Sequence, residues 1–224
     1  DKWSAEQLAE EAEALAIALW DMNGDGKPDI WVGNDFDMPD RVWVQAAEGW
    51  HESEPFERFS HSTMSLDRGD VDGDGQWEMF ATDMKPYNRD VATMATWLPL
   101  MQTGYRARTY SDMQRSENFL MVASGQGFEN RAYDRHIDAT GWSWSGKFGD
   151  LDNDGHPDLY VVNGMIAADL LKYLQNHELV EENQALRNNG SGDFAPAPEW
   201  QLGSTRSGRG MSMADVDNDG DLDI

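Results

Sequence analysis

The chain has 224 residues, 42 of them acidic against 17 basic, a formal net charge of −25 and no cysteine. That balance excludes a nucleic-acid surface, which needs basic phosphate contacts, and it excludes attraction to anionic lipid. The missing thiols exclude disulfides, thiolate zinc sites and cysteine nucleophiles.

Residues 1–14 combine a capping-box pattern, Ser4-Ala-Glu-Gln7, with Leu8 and Ala12 at helical spacing, which predicts a lead-in helix or linker. From residue 15 onward one unit recurs. Strand-like residues Leu15–Trp20 precede Asp21-Met-Asn-Gly-Asp-Gly-Lys-Pro-Asp29, which runs into Ile30–Gly33; Arg41–Gln45 reads as a third strand. Thr63–Leu66 precede Asp70-Val-Asp-Gly-Asp-Gly-Gln-Trp-Glu78, followed by Met79–Thr82. Trp142–Phe148 precede Asp150-Leu-Asp-Asn-Asp-Gly-His-Pro-Asp158, followed by Leu159–Val162, and Gly210–Ala214 precede Asp215-Val-Asp-Asn-Asp-Gly-Asp-Leu-Asp223. The loops start at 21, 70, 150 and 215, so two units carry insertions, at 86–117 and 164–186. Val91, Met94, Trp97, Leu98 and Met101 in the first insertion, and Leu170, Leu171, Leu174, Leu179 and Val180 in the second, predict amphipathic helices. Trp20, Trp31, Trp43 and Trp144 read as core, and Trp50, Trp97 and Trp200 as exposed.

Each loop puts an oxygen side chain at positions 1, 3, 5 and 9 and glycine at position 6. A hard dication wants six to eight oxygens, and closely spaced carboxylates on a tight turn supply them. The side-chain ligands expected are Asp21, Asn23, Asp25 and Asp29; Asp70, Asp72, Asp74 and Glu78; Asp150, Asp152, Asp154 and Asp158; and Asp215, Asp217, Asp219 and Asp223. Position 7 is expected to bind through its backbone carbonyl, so its side chain is free to vary among Lys27, Gln76, His156 and Asp221. The cofactor expected is Ca2+, up to four ions, one per loop. An EF-hand is rejected: position 12 is Val32, Ala81 or Val161 where that motif needs glutamate, and the flanks read as strands.

The chain resembles the FG-GAP/VCBS repeat proteins, and within them the bacterial secreted relatives of cartilage acidic protein associated with ASPIC/UnbV segments. Gly141–Gly164, with Phe148-Gly149 as the "FG", carries the resemblance most clearly. Ser124–Phe128 and Arg187–Phe194 resemble the hairpin between the outer two strands of that repeat, and Gly208–Asp215 another repeat opening. The resemblance implies an all-β fold: a partial β-propeller over 15–224, about three blades plus the start of a fourth, with inserted α-helices. The series is expected to continue beyond the given chain, since propellers close with four to eight blades.

The function expected is an extracellular, periplasmic or cell-surface calcium-binding module that meets a protein or glycan partner, since weak loops of this kind fill where calcium is near millimolar. Two alternatives stand beside it: a propeller polysaccharide lyase or hydrolase, and a structural subunit of a large extracellular or membrane-attached assembly docked through residues 86–117. No nucleophile–base arrangement is visible. His51, His61, His136, His156 and His177 show no ligand spacing; His177-Glu178-Leu-Val-Glu181 lacks the second histidine of a zinc-protease helix, and Arg68-Gly69-Asp70 spells an adhesion tripeptide whose aspartate opens a metal loop. Asn189-Gly-Ser191 is a glycosylation sequon on an expected turn.

Overall fold

The computed structural model describes residues 5–91, 93–95, 97, 113–125, 127–164 and 181–224. Strands dominate them. β1 (Ala14–Trp20), β2 (Asp29–Asn34), β3 (Arg41–Ala46) and β4 (Gly49–Ser53) form an antiparallel sheet in chain order. β5 (Phe59–Ser60) leads into β6 (Ser65–Gly69), β7 (Glu78–Thr82) and β8 (Met84–Lys85). β9 (Gln114–Arg115) falls inside the expected first insertion, and β10 (Phe119–Ser124) and β11 (Gly127–Asn130) follow it. The second sheet is ordered β6-β7-β10-β11, and β5 pairs with β9 in parallel. β12 (Gly141–Gly149), β13 (Asp158–Asn163), β14 (Gln184–Asn188) and β15 (Phe194–Pro196) make the third sheet, with β8 added on the edge of β12. Three four-stranded meanders in series, each with its acidic loop between first and second strands, are three propeller blades.

The period of two in a strand explains how the blades stack. Successive side chains point to opposite faces, so Met79 and Ala81 of β7 enter a core shared with the first blade, while Phe80 enters the core shared with the third. β10 divides in the same way, Phe119 and Met121 on one side and Leu120 on the other. On β13, Leu159 and Val161 face the second blade, while Tyr160 and Val162 meet Leu202, Met211 and Met213 of the chain that follows. Because both faces are covered, the central strands are continuous apolar runs. The first strands also touch: Ser65 Oγ accepts the Gly146 N–H at 2.9 Å, and Asp67 Oδ2 accepts that of Phe148 at 2.7 Å. Gly146 is required there, because a β-carbon would sit 2.7 Å from Thr82 Cγ2.

A second repeated device lies at the opposite end from the acidic loops. The residue ending or just following each second strand gives its N–H to an Asx side chain placed one residue ahead of the third strand. The pairs are Asn34 to Asp40 at 2.9 Å, Asp83 to Asn118 at 2.8 Å and Asn163 to Asn183 at 2.9 Å. This clasp closes the blade whatever the chain does in between. Asp40 and Asp83 also secure the crossover between blades, accepting from Thr63 Oγ1 and from Ser60 Oγ and the His61 N–H. Burial pushes their carboxyls up, Asp40 to about 7 and Asp83 to about 8.

Several expectations need correction. Residues 5–13 are not helical; they are mostly exposed, and their end is tied to the first blade through Glu13 N to Asn34 Oδ1 at 3.0 Å. A short helix with no packed face cannot offset the cost of its own nucleation, which accounts for the absence of helix at 5–13; residues 1–4 lie outside the described residues. Trp97, expected exposed, is buried against Trp142 with ring centroids 5.6 Å apart. Residues 91, 93–95 and 97 are helical, whereas the rest of the first predicted helix, and residues 165–180 of the second, lie outside the described residues. The second insertion ends at 183, because β14 begins at Gln184. Gly210–Ala214 forms no strand, and only the Ala214–Asp223 bridge spans the fourth loop.

Phe80 is fully buried, its ring tilted 54° to that of Phe148 with centroids 5.6 Å apart, between the second and third blades. Phe80→Ala is expected to lower unfolding free energy by about 3–5 kcal/mol, measured by denaturant titration.

Candidate metal centres

All four loops adopt one backbone course. Glycine at position 6 takes φ of +82° (Gly26), +86° (Gly75), +92° (Gly155) and +97° (Gly220), a conformation a β-carbon penalises. Position 4 is left-handed as well, at Gly24, Gly73, Asn153 and Asn218; asparagine is the residue that best tolerates it after glycine. The sequence reading passed over that position, although its Gly/Gly/Asn/Asn pattern was the signal.

Side-chain oxygens hold each turn from within. The position-1 carboxylate accepts the position-6 N–H: Gly26 to Asp21 at 2.7 Å, Gly75 to Asp70 at 3.0 Å, Gly155 to Asp150 at 2.9 Å, Gly220 to Asp215 at 3.2 Å. The position-5 carboxylates Asp25, Asp74, Asp154 and Asp219 accept the N–H of position 7 at 2.9, 2.7, 2.9 and 3.0 Å. Position 9 reaches back to position 2. Asp29, Glu78, Asp158 and Asp223 accept the N–H of Met22, Val71, Leu151 and Val216, each at 2.9 Å.

Positions 1, 3 and 9 converge. Asp70, Asp72 and Glu78 bring one oxygen each within 4.8 Å of the others, as do Asp150, Asp152 and Asp158, and Asp215, Asp217 and Asp223. In the first loop Asn23 replaces the carboxylate at position 3, between Asp21 and Asp29, and its Oδ1 accepts the Asp25 N–H. The position-5 carboxylates stand outside these groups. Side chains at position 7 engage neighbours: Lys27 lies 3.7 Å from Asp25, Gln76 donates to Asp74 and Asp221 accepts from Asn153.

In the second and third loops the converging carboxylates are electrostatically unbalanced. Asp70 Oδ1, Asp72 Oδ1 and Asp152 Oδ1 are buried and have no hydrogen-bond donor. The other oxygen of each position-3 carboxylate is held by an arginine: Asp72 Oδ2 lies 3.4 Å from Arg135 Nη2, and Asp152 Oδ2 accepts from Arg187 Nε at 2.8 Å. Burial, and then the charges of Asp72, Asp74 and Asp70, push the Glu78 carboxyl up to about 7. Burial, with Asp152 and Asp154, raises Asp158 as well. Buried, donorless carboxylate oxygens facing one another are unfavourable unless a cation lies among them. The donor set is all oxygen, which suits a hard dication and not a soft one.

Among the described residues no histidine joins a metal-binding group, and no helix is long and apolar enough to cross a membrane. The sequence signature described as the FG-GAP-like repeat matches residues 21–81 and 173–224, which hold the first, second and fourth loops. No curated protein matches the chain.

Glu78 has a raised folded pKa, so its protonation favours the fold. Its stabilising contribution is complete below the unfolded value near 4.5 and is lost as pH rises toward 7. In chelator, Glu78→Gln is therefore expected to gain stability over the parent between about pH 5 and 7 and to hold that gain above it. Thermal unfolding across that range checks the sign.

Proposed function

The chain belongs to the FG-GAP-like repeat family, and on that footing we propose that it is a calcium-binding β-propeller module that works outside the cytoplasm and presents one face to a protein or glycan partner. One observation carries the metal part of this reading: Asp70, Asp72 and Asp152 each keep one buried oxygen without a donor, while the other oxygen is held by the Gly75 amide, by Arg135 and by Arg187 respectively. Calcium bound there would supply positive charge where the carboxylates repel one another, and their oxygens would coordinate it. The protein's own part is to fix the turn, orient the ligands and exclude water from position 9, which is buried in Asp29, Glu78 and Asp158. Loops of this kind fill at millimolar calcium, which favours an extracellular, periplasmic or cell-surface setting. The nearer resemblance to bacterial secreted relatives of cartilage acidic protein, carried by Gly141–Gly164, fits that setting.

The partner part rests on topology. The metal loops join first to second strands, whereas both insertions join second to third strands and so emerge at the opposite end of the blades. There, a cleft of about 480 Å³ is lined by Tyr87, Arg89, Tyr133, His136 and Asp138. Tyr133 is 66% exposed, with the Arg89 guanidinium 5.8 Å from its ring centre. Exposed aromatic faces beside fixed polar groups suit a sugar ring or a peptide. Docking into a larger assembly through residues 86–117 would use the same face.

At ~1 mM calcium and a dissociation constant near ~0.1 mM, one site stabilises by roughly 1.4 kcal/mol. Asp150→Ala or Asp158→Ala is thus expected to lower the melting temperature by about 3–6 °C in calcium, with a much smaller effect in EDTA. Equal losses in both buffers would remove the metal role of that loop.

A further inference from the structure

The second and third loops are joined by an unbroken run of hydrogen bonds that crosses the joint between blades. Glu78, position 9 of the second loop, accepts the Val71 N–H at 2.9 Å. The carbonyl of Val71 accepts from Asn188 Nδ2 at 2.7 Å. The same amide nitrogen donates to the carbonyl of Pro157, in the third loop, at 3.0 Å. The Asn188 backbone N–H then donates to Asp158 Oδ1, position 9 of the third loop, at 2.8 Å. Asn188 has no solvent exposure, and its Oδ1 is occupied by the N–H groups of Gly190 and Gly192. Every polar atom of this side chain is committed, so it cannot turn without releasing both loops.

A second bridge runs parallel. Arg135 meets Asp72 through Nη2 at 3.4 Å, and through Nη1 it donates to the Ser191 carbonyl at 2.6 Å and contacts Asp193 at 3.2 Å. Position 3 of the second loop is thereby tied to the hairpin of the third blade. The first loop differs. Its position 9, Asp29, accepts from Gln45 of its own blade at 2.9 Å, and among the described residues no hydrogen bond joins the first loop to the second blade.

We propose that the second and third loops hold their cations as one coupled pair, with Asn188 as the positioning residue that transmits occupancy between them. This rests on the reading of the loops as cation sites. Binding at the third loop fixes Asp158 and Pro157, hence Asn188, hence the Val71 peptide from which Glu78 takes its hydrogen bond. The second loop then has less conformational freedom left to lose, and a ligand that finds its site already ordered binds more tightly. Linkage makes the effect reciprocal.

Terbium(III) luminescence offers a selective readout, because Trp77 occupies position 8 of the second loop, where the other loops have Pro28, Pro157 and Leu222. The signal lost in Trp77→Phe defines that loop's share. Disabling the third loop with Asp150→Ala, or Asp150→Asn should the first variant fold poorly, is expected to move the second-loop midpoint to at least about fivefold higher terbium. Disabling the first loop with Asp21→Ala is expected to leave it in place. In an Asn188→Ala background, loss of the third loop should no longer move the midpoint; if that variant fails to fold, the Asp150 pair decides alone. A second-loop midpoint indifferent to the third loop overturns the coupling. Calorimetry with calcium distinguishes the two readings: binding with an unmoved midpoint removes the coupling alone, and no binding at any loop removes the cation sites with it.

Discussion

A buried carboxylate at the foot of each second strand organises this molecule. Asp29, Glu78 and Asp158 have almost no exposed surface, and a buried charge is tolerated only when it is paired or well hydrogen-bonded. Each takes the N–H two residues into its own loop, which closes the turn. Asp29 and Asp158 take a further N–H from the far end of the third strand, which aligns that strand with the second. One side chain therefore sets the loop, the register of the central strands and the floor of the acidic group. The apolar cores between blades depend on it, because they need the central strands fixed with Phe80 on one side and Met79 on the other.

The second blade departs from this scheme. Its position 9 is glutamate, one methylene longer, and among the described residues its hydrogen bond comes from Val71 alone. More negative charge converges on it, with Asp70, Asp72 and Asp74 all raising its pKa beyond what burial does. The surrounding structure answers with residues from outside the blade, Arg135 and Asn188. The least self-sufficient of the buried carboxylates is also the one most braced by a neighbour.

Much of this was legible in the sequence, for identifiable reasons. Acidic spacing within nine residues is local, so the four loops and the strands around the first three could be read directly, as could the apolar runs that both-face burial demands. The outer hairpins at 124–128 and 187–194 were legible through their glycines. Asn188 was visible as a hairpin residue and not as a bridge, because its partners lie in loops that the chain reaches only after folding. The clasps escaped notice for a related reason: Asp40, Asn118 and Asn183 stand at different distances from the residues they hold. The stretch at 5–13 misled because capping and helical spacing describe what a helix needs, not whether anything covers it. Trp97 misled because its burial depends on Trp142, more than forty residues away.

The clasps have an implication for how such a chain varies. Between clasped residues lie 5 residues in the first blade, 34 in the second and 19 in the third, yet each blade keeps the same order of its own four strands, with β8 added at the edge of the third sheet. Closing the longest of these segments in place of the shortest costs only about 1.7 kcal/mol of chain entropy, and each clasp keeps the second and third strands of its own blade paired across the change. The junction between second and third strands is thus a socket. A foreign segment spliced between Asn34 and Asp40 would meet the same clasp that bounds the natural insertions, and this makes the first blade the natural place to graft a new recognition element.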